Sequence, residues 1–306
     1  MAELILGIDG GGSKTRALVA GRAGTILGVG TAGTSNYQSV GFAAATAALR
    51  EAIAAALSQA HLDPQTPIVA ACFGLAGVGR PADRILFQNW LDDDPIAQHQ
   101  IVVNDAELVL AAGTAEGWGV ALICGTGSIC FGKAPHGETA RAGGWGYLLG
   151  DEGSGYAIAL HALRLATQTA DGRAAADGLL SAVLRHWNLD EPSQLISHIY
   201  RPEVSRTEIA TLARRVIDLA DAGDQDARGI VDAAAKELAR LVTAVVHRLS
   251  LVDPPVALGG GLLGANSCLR IRLLQQAGVP LGPVEYVGDP AVGALVLARR
   301  LLDGRG

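Results

Sequence analysis

The chain has 306 residues, of which 49% are hydrophobic and 18% charged, and this composition excludes disorder as its main state. At roughly 100–200 residues per domain, the length predicts two domains. The 24 Lys and Arg residues against 30 Asp and Glu give a net charge of −6, which provides no electrostatic reason to expect a nucleic-acid partner. No apolar run reaches the roughly 18 residues that a membrane span requires.

The cysteines and the first residues predict a cytoplasmic protein. The four cysteines form no C-x-x-C pair, and Cys72, Cys124 and Cys130 lie in apolar, strand-like runs. We therefore expect buried free thiols in a reducing compartment rather than disulfides or a zinc site. The start of the chain, Met1–Leu6, carries an acid instead of a basic segment, so we do not expect a signal peptide.

The first third of the chain predicts strands followed by alternating helices and strands. The apolar runs Glu3–Ile8, Thr15–Ala20 and Thr25–Val29 are joined by two glycine-bearing connections, which indicates an antiparallel meander. Apolar periodicity then predicts helices at about 42–60 and 82–91, strands at 68–73 and 101–103, and a helix from Asn104-Asp105 to about 112.

The strand pattern partly repeats in the second half. Val120–Cys124 is an apolar strand that ends in a glycine turn, and Ile129–Gly132 is a returning strand, as in the first hairpin. We infer a weak internal duplication. The following segments predict helices at 155–169, 206–221, 226–251 and 290–302 and strands at 256–258 and 284–287. The order predicts an α/β fold of two similar domains, and a cleft between such domains is a natural ligand site.

Two glycine turns follow apolar strands and are candidate phosphate sites. Asp9–Lys14 is not a Walker A loop, because Ser13 separates glycine from lysine and a strand follows. Bare backbone there still lets N–H groups approach an anion, and Asp9 is placed to hold hydrated Mg²⁺. An ordinary hairpin is the alternative. Gly125–Ser128 is the second such turn and is a candidate for the opposite side of a polyphosphate site.

Asp105 follows a buried strand and opens a helix. One role open to it is helix N-cap. The other is general base, which accepts a hydroxyl proton during phosphoryl transfer.

The remaining glycine clusters are less specific. Gly28–Gly33 matches G-x-G-x-x-G, but no helix opens within it, so we expect a loop that carries Asn36 into a cleft rather than a dinucleotide site. Gly259–Gly261 suits either an adenine ring or a plain turn.

The segment around Trp145 is the densest glycine cluster. A tryptophan in a loop is expected to pack or to contact a ligand. Asp151 and Glu152 precede a helix, where charge complementarity with the helix N-terminus is their simplest role.

Together these motifs resemble the BadF/BadG/BcrA/BcrD-type ATPase family of the sugar kinase/Hsp70/actin superfamily, and within it an N-acetylglucosamine kinase-like branch. The resemblance covers nearly the whole chain and rests on Gly7–Thr15, Ser35-Asn36, Asn104–Ala106, Gly125–Ser128, Gly143–Gly146 and Gly150–Ser154. It implies an α/β fold of two ribonuclease H-like (actin-like ATPase) domains around a central cleft. These would be residues 1–115, with a C-terminal helix at 289–303 packing back on them, and residues 116–288.

The resemblance also implies an activity. This is transfer of the ATP γ-phosphoryl group to the 6-hydroxyl of N-acetylglucosamine or a close relative, with ATP and Mg²⁺ as cofactors, in a homodimer that binds neither nucleic acid nor membrane. Glucosamine or N-acetylmuramic acid as acceptor is an alternative. An ATPase activator subunit of a reductase or dehydratase and a sugar-sensing regulator are two others, although the cysteines do not resemble the activator's iron–sulfur arrangement.

The implied site residues fall into two groups. Ser13 and Thr126, with neighbouring residues, are implied to contact the nucleotide; with the glycine turn at 259–261 the full set is Gly11, Gly12, Ser13, Lys14, Thr15, Gly125, Thr126, Gly127, Ala210, Gly260 and Gly261. The amino-sugar site is implied to contain Asn36, Asp105, Gly144, Trp145 and Asp151. Asp105 is the catalytic candidate and Asp9 the metal candidate.

Overall fold

The computed structural model describes residues 3–304, and its internal contacts divide the chain after Ala121 and again after Tyr286. The first unit comprises the described residues before the first boundary and after the second one, and the second unit is Leu122–Tyr286. Met1 and Ala2, on which the signal-peptide prediction partly depends, lie outside the described residues. Across 3–304, none of the helices combines the length and apolar character needed to cross a membrane.

The described chain contains ten strands and twelve helices. The strands are β1 (Leu4–Gly10), β2 (Thr15–Gly21), β3 (Ile26–Ala32), β4 (Ala70–Leu75), β5 (His99–Asn104), β6 (Gly119–Cys124), β7 (Ser128–Lys133), β8 (Thr139–Gly143), β9 (Val256–Gly259) and β10 (Val284–Tyr286). The helices are α1 (Tyr37–Val40), α2 (Phe42–Gln59), α3 (Pro81–Asp93), α4 (Asp105–Gly113), α5 (Gly155–Ala170), α6 (Asp177–His186), α7 (Gln194–Ile199), α8 (Arg206–Ala210), α9 (Leu212–Asp221), α10 (Gln225–Arg248), α11 (Cys268–Gln276) and α12 (Ala291–Leu302).

The first sheet has the strand order β3-β2-β1-β4-β5. β1 pairs antiparallel with β2, and β2 with β3, so the predicted meander is confirmed. β1, β4 and β5 run parallel. Their carboxyl ends therefore meet at one edge of the sheet, where ligands bind in open α/β sheets.

Side-chain alternation gives this sheet two apolar faces. Leu4, Leu6 and Ile8 enter one core with the apolar side of α2, whereas Ile5 enters the other core with α12. On that second face a Cβ on Gly7 would lie 2.7 Å from the backbone nitrogen of Leu295, so the missing side chain lets α12 lie directly on β1.

The second sheet repeats the topology of the first. Its order, read as β8-β7-β6-β9-β10, is the same 3-2-1-4-5 arrangement when each sheet is numbered from its own first strand. The α/β class is confirmed, and the repeated order is what the predicted duplication requires. The boundaries at 115 and 288 remain predictions; the contact division cuts β6 itself, after Ala121.

Three local predictions were wrong or incomplete. The predicted helix 206–221 is two helices, α8 and α9, which meet at Thr211. Gly28–Gly33 is mostly strand β3 rather than a loop, and a Cβ on Gly30 would lie 1.9 Å from the carbonyl oxygen of Ala52 in α2. These glycines therefore allow helix α2 to pack on β3. Strand β8 and helices α1, α6, α7 and α11 were not predicted.

The prediction of buried free thiols is confirmed. All four cysteines are buried and unpaired, and burial raises the pKa of Cys124 to about 12. Within residues 3–304, no group of three or more His, Cys, Asp or Glu side chains is arranged to hold a metal ion.

Candidate active site

Two carboxylates lie at the carboxyl edge of the first sheet. Asp9 is the penultimate residue of β1, and Asp105 is the first residue of α4, directly after β5. Burial, followed by repulsion from Asp105 and Asp289, raises the pKa of Asp9 to about 7. Within the first unit the Asp9 carboxylate accepts no side-chain hydrogen bond and forms no ion pair. A carboxyl group in this state readily exchanges its proton for a cation.

Asp105 is not needed as the N-cap of α4. Asn104 caps the helix, because its side chain accepts the N–H of Ala106 at 3.1 Å, while Glu107 accepts the N–H of Asn104 at 3.0 Å. Asp105 Oδ1 also accepts from Ala106, at 3.0 Å, and Oδ2 has no partner within the unit. Burial raises the pKa of Asp105 to about 6, against the lowering effect of that hydrogen bond. A fixed carboxylate with one unpaired oxygen and this pKa suits a general base.

The turn between β1 and β2 presents hydrogen-bond donors. The carbonyl oxygen of Gly11 accepts from Thr34 Oγ1 at 3.0 Å, and that of Gly10 accepts from the N–H of Ala76 at 2.8 Å. The N–H groups of Gly12 and Ser13 have no acceptor within the first unit. With the Ser13 hydroxyl and the Lys14 ammonium, this arrangement favours an anion.

Gly12 provides a test of that turn. A Cβ there would meet no heavy atom within 4 Å, so Gly12→Ala is expected to leave the melting temperature unchanged. If a phosphate lies against this backbone, the variant will raise the KM for ATP about tenfold, equivalent to a loss of about 1.4 kcal/mol. Steady-state kinetics beside thermal unfolding measure both effects. Gly21→Ala, at the other end of β2 and equally open, is the matched control; equal KM values in the two variants would contradict the assignment.

The Thr15 hydroxyl holds the loop that precedes the sugar candidate Asn36. Thr15 is fully buried, and its hydroxyl hydrogen-bonds Gly33 O at 2.7 Å and Ser35 Oγ at 2.9 Å. Its side chain is thus committed to the loop before Asn36 and not to a ligand. Asn36 Oδ1 caps α1 by accepting from Gln38 N at 3.2 Å, which leaves the amide N–H groups of Asn36 for other acceptors.

The turn between β6 and β7 has its carbonyl groups occupied. The carbonyl oxygens of Gly125 and Thr126 accept from the first two N–H groups of α5, at 2.8 and 3.2 Å, and that of Gly127 accepts from Gly125 N at 3.0 Å. The N–H groups of Thr126 and Gly127 have no acceptor within the second unit. The positive end of the α5 dipole adjoins the same turn. This turn therefore offers donors to an anion, as the first turn does.

Nucleotide candidates from three segments converge near the start of α5. A Cβ on Gly155 would lie 2.8 Å from the carbonyl oxygen of Gly125, 3.1 Å from the side chain of Leu262 and 3.4 Å from the carbonyl oxygen of Ala210. Gly260 approaches the same turn, because its Cβ would lie 2.2 Å from the carbonyl oxygen of Cys124. The structure thus brings the turn at 125–127, Ala210 and the Gly259–Gly261 segment together within the second unit.

Two of the three predicted sugar residues of the second unit, Gly144 and Asp151, contact Ser128 at the end of this turn, whereas the third is exposed. Asp151 is only 9% exposed and its Oδ1 faces Ser128 N at 3.4 Å, in a left-handed backbone with φ of +60°. Burial raises the pKa of Asp151. Gly144 N donates to Ser128 O at 3.0 Å. Trp145 is the exception: it is 55% exposed and lies under the guanidinium of Arg141.

Sequence reasoning missed three charged residues near these segments. Asp289 is paired with Arg16 at 2.9 Å, Arg214 donates to the carbonyl oxygen of Gly261, and Arg206 lies 4.4 Å from the ring centroid of Tyr147. The Asp-Pro pair before the last helix is a local signal that Asp289 could cap that helix. The pairing of Asp289 with Arg16, 273 positions away in the sequence, has no local signal.

The first unit offers one carboxylate suited to Mg²⁺. Asp9 is half-buried, forms no ion pair within the first unit and adjoins the donor-rich turn, so its oxygen chemistry fits a hard cation. Since no group of three acidic or other ligating side chains surrounds it among the described residues, the ion would retain most of its water.

Comparisons of the sequence and of the structure with known proteins point to the same family. The sequence profile of the BadF/BadG/BcrA/BcrD ATPase family matches residues 6–298. The chain therefore belongs to the BadF/BadG/BcrA/BcrD ATPase family. The repeated α/β sheets with glycine turns at their strand ends are the fold in which this family sequence is built.

Three similar proteins are sugar kinases by name. The chain is 34% identical over 306 residues to the N-acetylmuramic acid/N-acetylglucosamine kinase of Clostridium acetobutylicum, covering 98% of this chain and 100% of that one. It is 32% identical over 313 residues to the N-acetyl-D-glucosamine kinase of Dictyostelium discoideum, covering 97% and 98%. A crystal structure from Chromobacterium violaceum, of a protein proposed to be an N-acetylglucosamine kinase, has a TM-score of 0.76 at 27% identity, covering 97% and 99%.

Proposed function

We propose that the protein is an ATP-dependent amino-sugar kinase that phosphorylates the 6-hydroxyl of N-acetylglucosamine or a close relative. The observation that carries the proposal is Asp105, a half-buried carboxylate at a strand end with an unpaired oxygen and a pKa of about 6. The names of the two curated relatives, both near full length, support the substrate class.

In the proposed reaction Asp105 accepts the proton of the acceptor hydroxyl as that oxygen attacks the γ-phosphorus. The O–P bond to the sugar forms, the bond to the ADP oxygen breaks, and the proton passes to the Asp105 carboxylate. Phosphoryl transfer asks a protein mainly for positioning and for stabilisation of charge on the phosphoryl oxygens. A base of pKa about 6 is ionised at pH 7 and still strong enough to accept the proton.

The nucleotide phosphates are assigned to the two donor turns. Backbone N–H groups at Gly12 and Ser13 in one unit, and at Thr126 and Gly127 in the other, are the donors we assign to them, with the hydroxyls of Ser13 and Thr126. Ala210, Gly260 and Gly261 are assigned to the nucleoside. Asp9 is the residue that would hold Mg²⁺, which neutralises charge on the β- and γ-phosphoryl oxygens when bound.

We assign the sugar to Asn36 and Asp105 of the first unit and to Gly144, Trp145 and Asp151 of the second. The free amide N–H groups of Asn36 suit a sugar oxygen, and the exposed ring of Trp145 suits the apolar face of a pyranose or an acetyl methyl group. Asp151 has a second task, because its carboxylate also supports the turn at Ser128. Glucosamine and N-acetylmuramic acid remain alternative acceptors of the same proposed reaction.

Two further parts of the proposal concern the cell and the assembly. We propose a cytoplasmic enzyme, for which the four buried thiols are the support. We also propose a homodimer, on family resemblance; light scattering coupled to gel filtration tests it, and a mass near 31.3 kDa would contradict it.

The test is ADP release with Mg·ATP against a panel of acceptors. The panel holds N-acetylglucosamine, glucosamine, N-acetylmannosamine, N-acetylmuramic acid and glucose, with 6-deoxy-N-acetylglucosamine as the matched compound that lacks the reacting oxygen. We expect turnover with an amino sugar and none with the 6-deoxy compound. The kinase proposal fails if the protein is folded and binds ATP but no sugar stimulates ADP release. That result would favour the activator or regulator alternatives.

A further inference from the structure

We infer that Asp289 is a positioning residue that holds Arg16 away from Asp9 and so keeps the Asp9 carboxylate free for the metal–nucleotide complex. The inference rests on the proposed function, in which Asp9 faces Mg²⁺. It concerns a residue that lies two positions before helix α12, far in sequence from either partner.

Arg16 is the cation that strand register places opposite Asp9. In the antiparallel pair of β1 and β2, Asp9 stands directly opposite Arg16. Side chains of directly opposed residues lie on the same face, with Cβ atoms about 4.5–5.5 Å apart. An arginine at that distance has ample reach to form a two-pronged ion pair with the aspartate.

The structure shows Arg16 bound to another acid. Its Nε lies 2.9 Å from Asp289 Oδ2, and within the first unit Asp9 has no ion pair. The two partners of the observed pair are 30% and 31% exposed. Ion pairs at such exposure contribute little to folding, so stability is a weak reason for this one.

Asp289 is held in place by the packing of α12. A Cβ on Gly7 would lie 2.8 Å from the carbonyl oxygen of Ala291, and one on Gly293 would lie 1.9 Å from that of Leu108. These two close approaches fix α12 against β1, which carries Asp9, and against α4, which begins at Asp105. Asp289 therefore has a fixed position from which to draw Arg16 aside.

Release of Arg16 has a definite consequence. Paired with Asp9, its guanidinium would occupy the carboxylate and cancel the charge that a hydrated divalent cation requires. The effect of losing Asp289 is thus to give Asp9 a competing cation, and removal of that cation is expected to reverse it. A purely structural ion pair predicts no such reversal.

The test is a double-substitution cycle read by Mn²⁺ binding to the ADP complex, measured by electron paramagnetic resonance, and by kcat and KM for Mg·ATP. Asp289→Asn is expected to weaken Mn²⁺ binding in the ADP complex at least tenfold and to lower kcat/KM similarly, as loss of a group that orients a metal ligand does. Arg16→Met alone should stay within about threefold of wild type. Arg16→Met combined with Asp289→Asn should recover most of the loss.

Asp303→Asn is the matched control, because it removes an exposed carboxylate that pairs with Arg22 at the other end of the same helix. It should leave both readouts unchanged. Wild-type binding of Mn²⁺ by Asp289→Asn, or a double variant as impaired as Asp289→Asn, would overturn the inference. Since Mn·ADP binding requires no sugar, wild-type protein that binds Mn·ADP but phosphorylates no sugar would refute the proposed function alone. Failure of wild type to bind Mn·ADP would overturn the inference as well.

Discussion

Asp105→Asn is expected to lower kcat about 10²–10⁴-fold while the protein remains folded, since that is the usual contribution of a positioned general base. The amide keeps the size of the side chain and an oxygen for the N–H of Ala106. It cannot accept the proton of the attacking hydroxyl. Steady-state kinetics with the preferred sugar measure the loss, and a kcat within threefold of wild type would remove Asp105 from the mechanism.

The same variant should be more stable than wild type. Burial raises the pKa of Asp105 from 3.8 to about 6, so the folded state disfavours the ionised form. The resulting penalty is full above about pH 6, decreases as the pH falls towards 3.8 and is absent below that value; at pH 8 it is at most about 3 kcal/mol. Urea unfolding at pH 8 should therefore show Asp105→Asn to be the more stable protein, and the gain should shrink towards pH 4. A less stable variant at pH 8 would contradict the burial argument.

The pH dependence of wild-type kcat/KM follows from the same groups. The base must be ionised, so activity should fall as the pH drops through about 6. Asp9, with a pKa of about 7, titrates in the same region, and the acidic limb reports both carboxylates together.

Gly260→Ala is expected to destabilise the protein by roughly 2 kcal/mol or more, through two independent costs. Gly260 has a φ of +87°, where a side chain is strained by about 1–3 kcal/mol. Its Cβ would also lie 2.2 Å from the carbonyl oxygen of Cys124, a backbone atom that cannot rotate away. Because Cys124 leads into the turn at 125–128, the displaced backbone should weaken ATP binding as well.

Gly261→Ala is the neighbouring control. Gly261 lacks a positive φ, and the nearest atom to its Cβ is a guanidinium nitrogen of Arg214 at 4.0 Å. We expect its free energy of unfolding to match wild type, with a raised KM for ATP if the nucleoside lies on this glycine. Equal unfolding curves for the Gly260 and Gly261 variants would contradict the close approach that defines this side of the proposed nucleotide site.

The strands and their glycine turns were predictable because each is a local pattern. An apolar run that ends in glycines fixes both an element and its end, and β1, β2, β6 and β7 are all signalled in this way. The break at Thr211 had no such signal, since its backbone is itself near-helical, with φ of −61° and ψ of −27°, and the apolar spacing of α8 continues into α9. Gly28 and Gly30 look like a ligand loop, yet they are bare because helix α2 lies on them, a contact that no local pattern encodes.

The candidate site likewise has a part that the sequence predicts and a part that only the structure shows. Asp9, Asp105 and the turn at 125–128 are predictable as polar or bare residues at the ends of buried strands. Only the structure shows which of these side chains already have hydrogen-bond partners within the protein. The Thr15 hydroxyl is hydrogen-bonded to the loop before Asn36, and the Asp151 carboxylate faces the N–H of Ser128. The pairing of Arg16 with Asp289 depends on how the last helix packs across the first sheet, so it too required the structure.

The most direct test of the central claim is a ³¹P NMR spectrum of the reaction of wild-type protein with Mg·ATP and N-acetylglucosamine. Transfer to the 6-hydroxyl predicts a new phosphomonoester signal coupled to the two protons on C6, in amounts equal to the ADP formed, and its absence with Asp105→Asn. ADP with inorganic phosphate alone, from wild-type protein offered each sugar of the panel, would contradict the account and identify an ATPase that transfers no phosphoryl group to sugar.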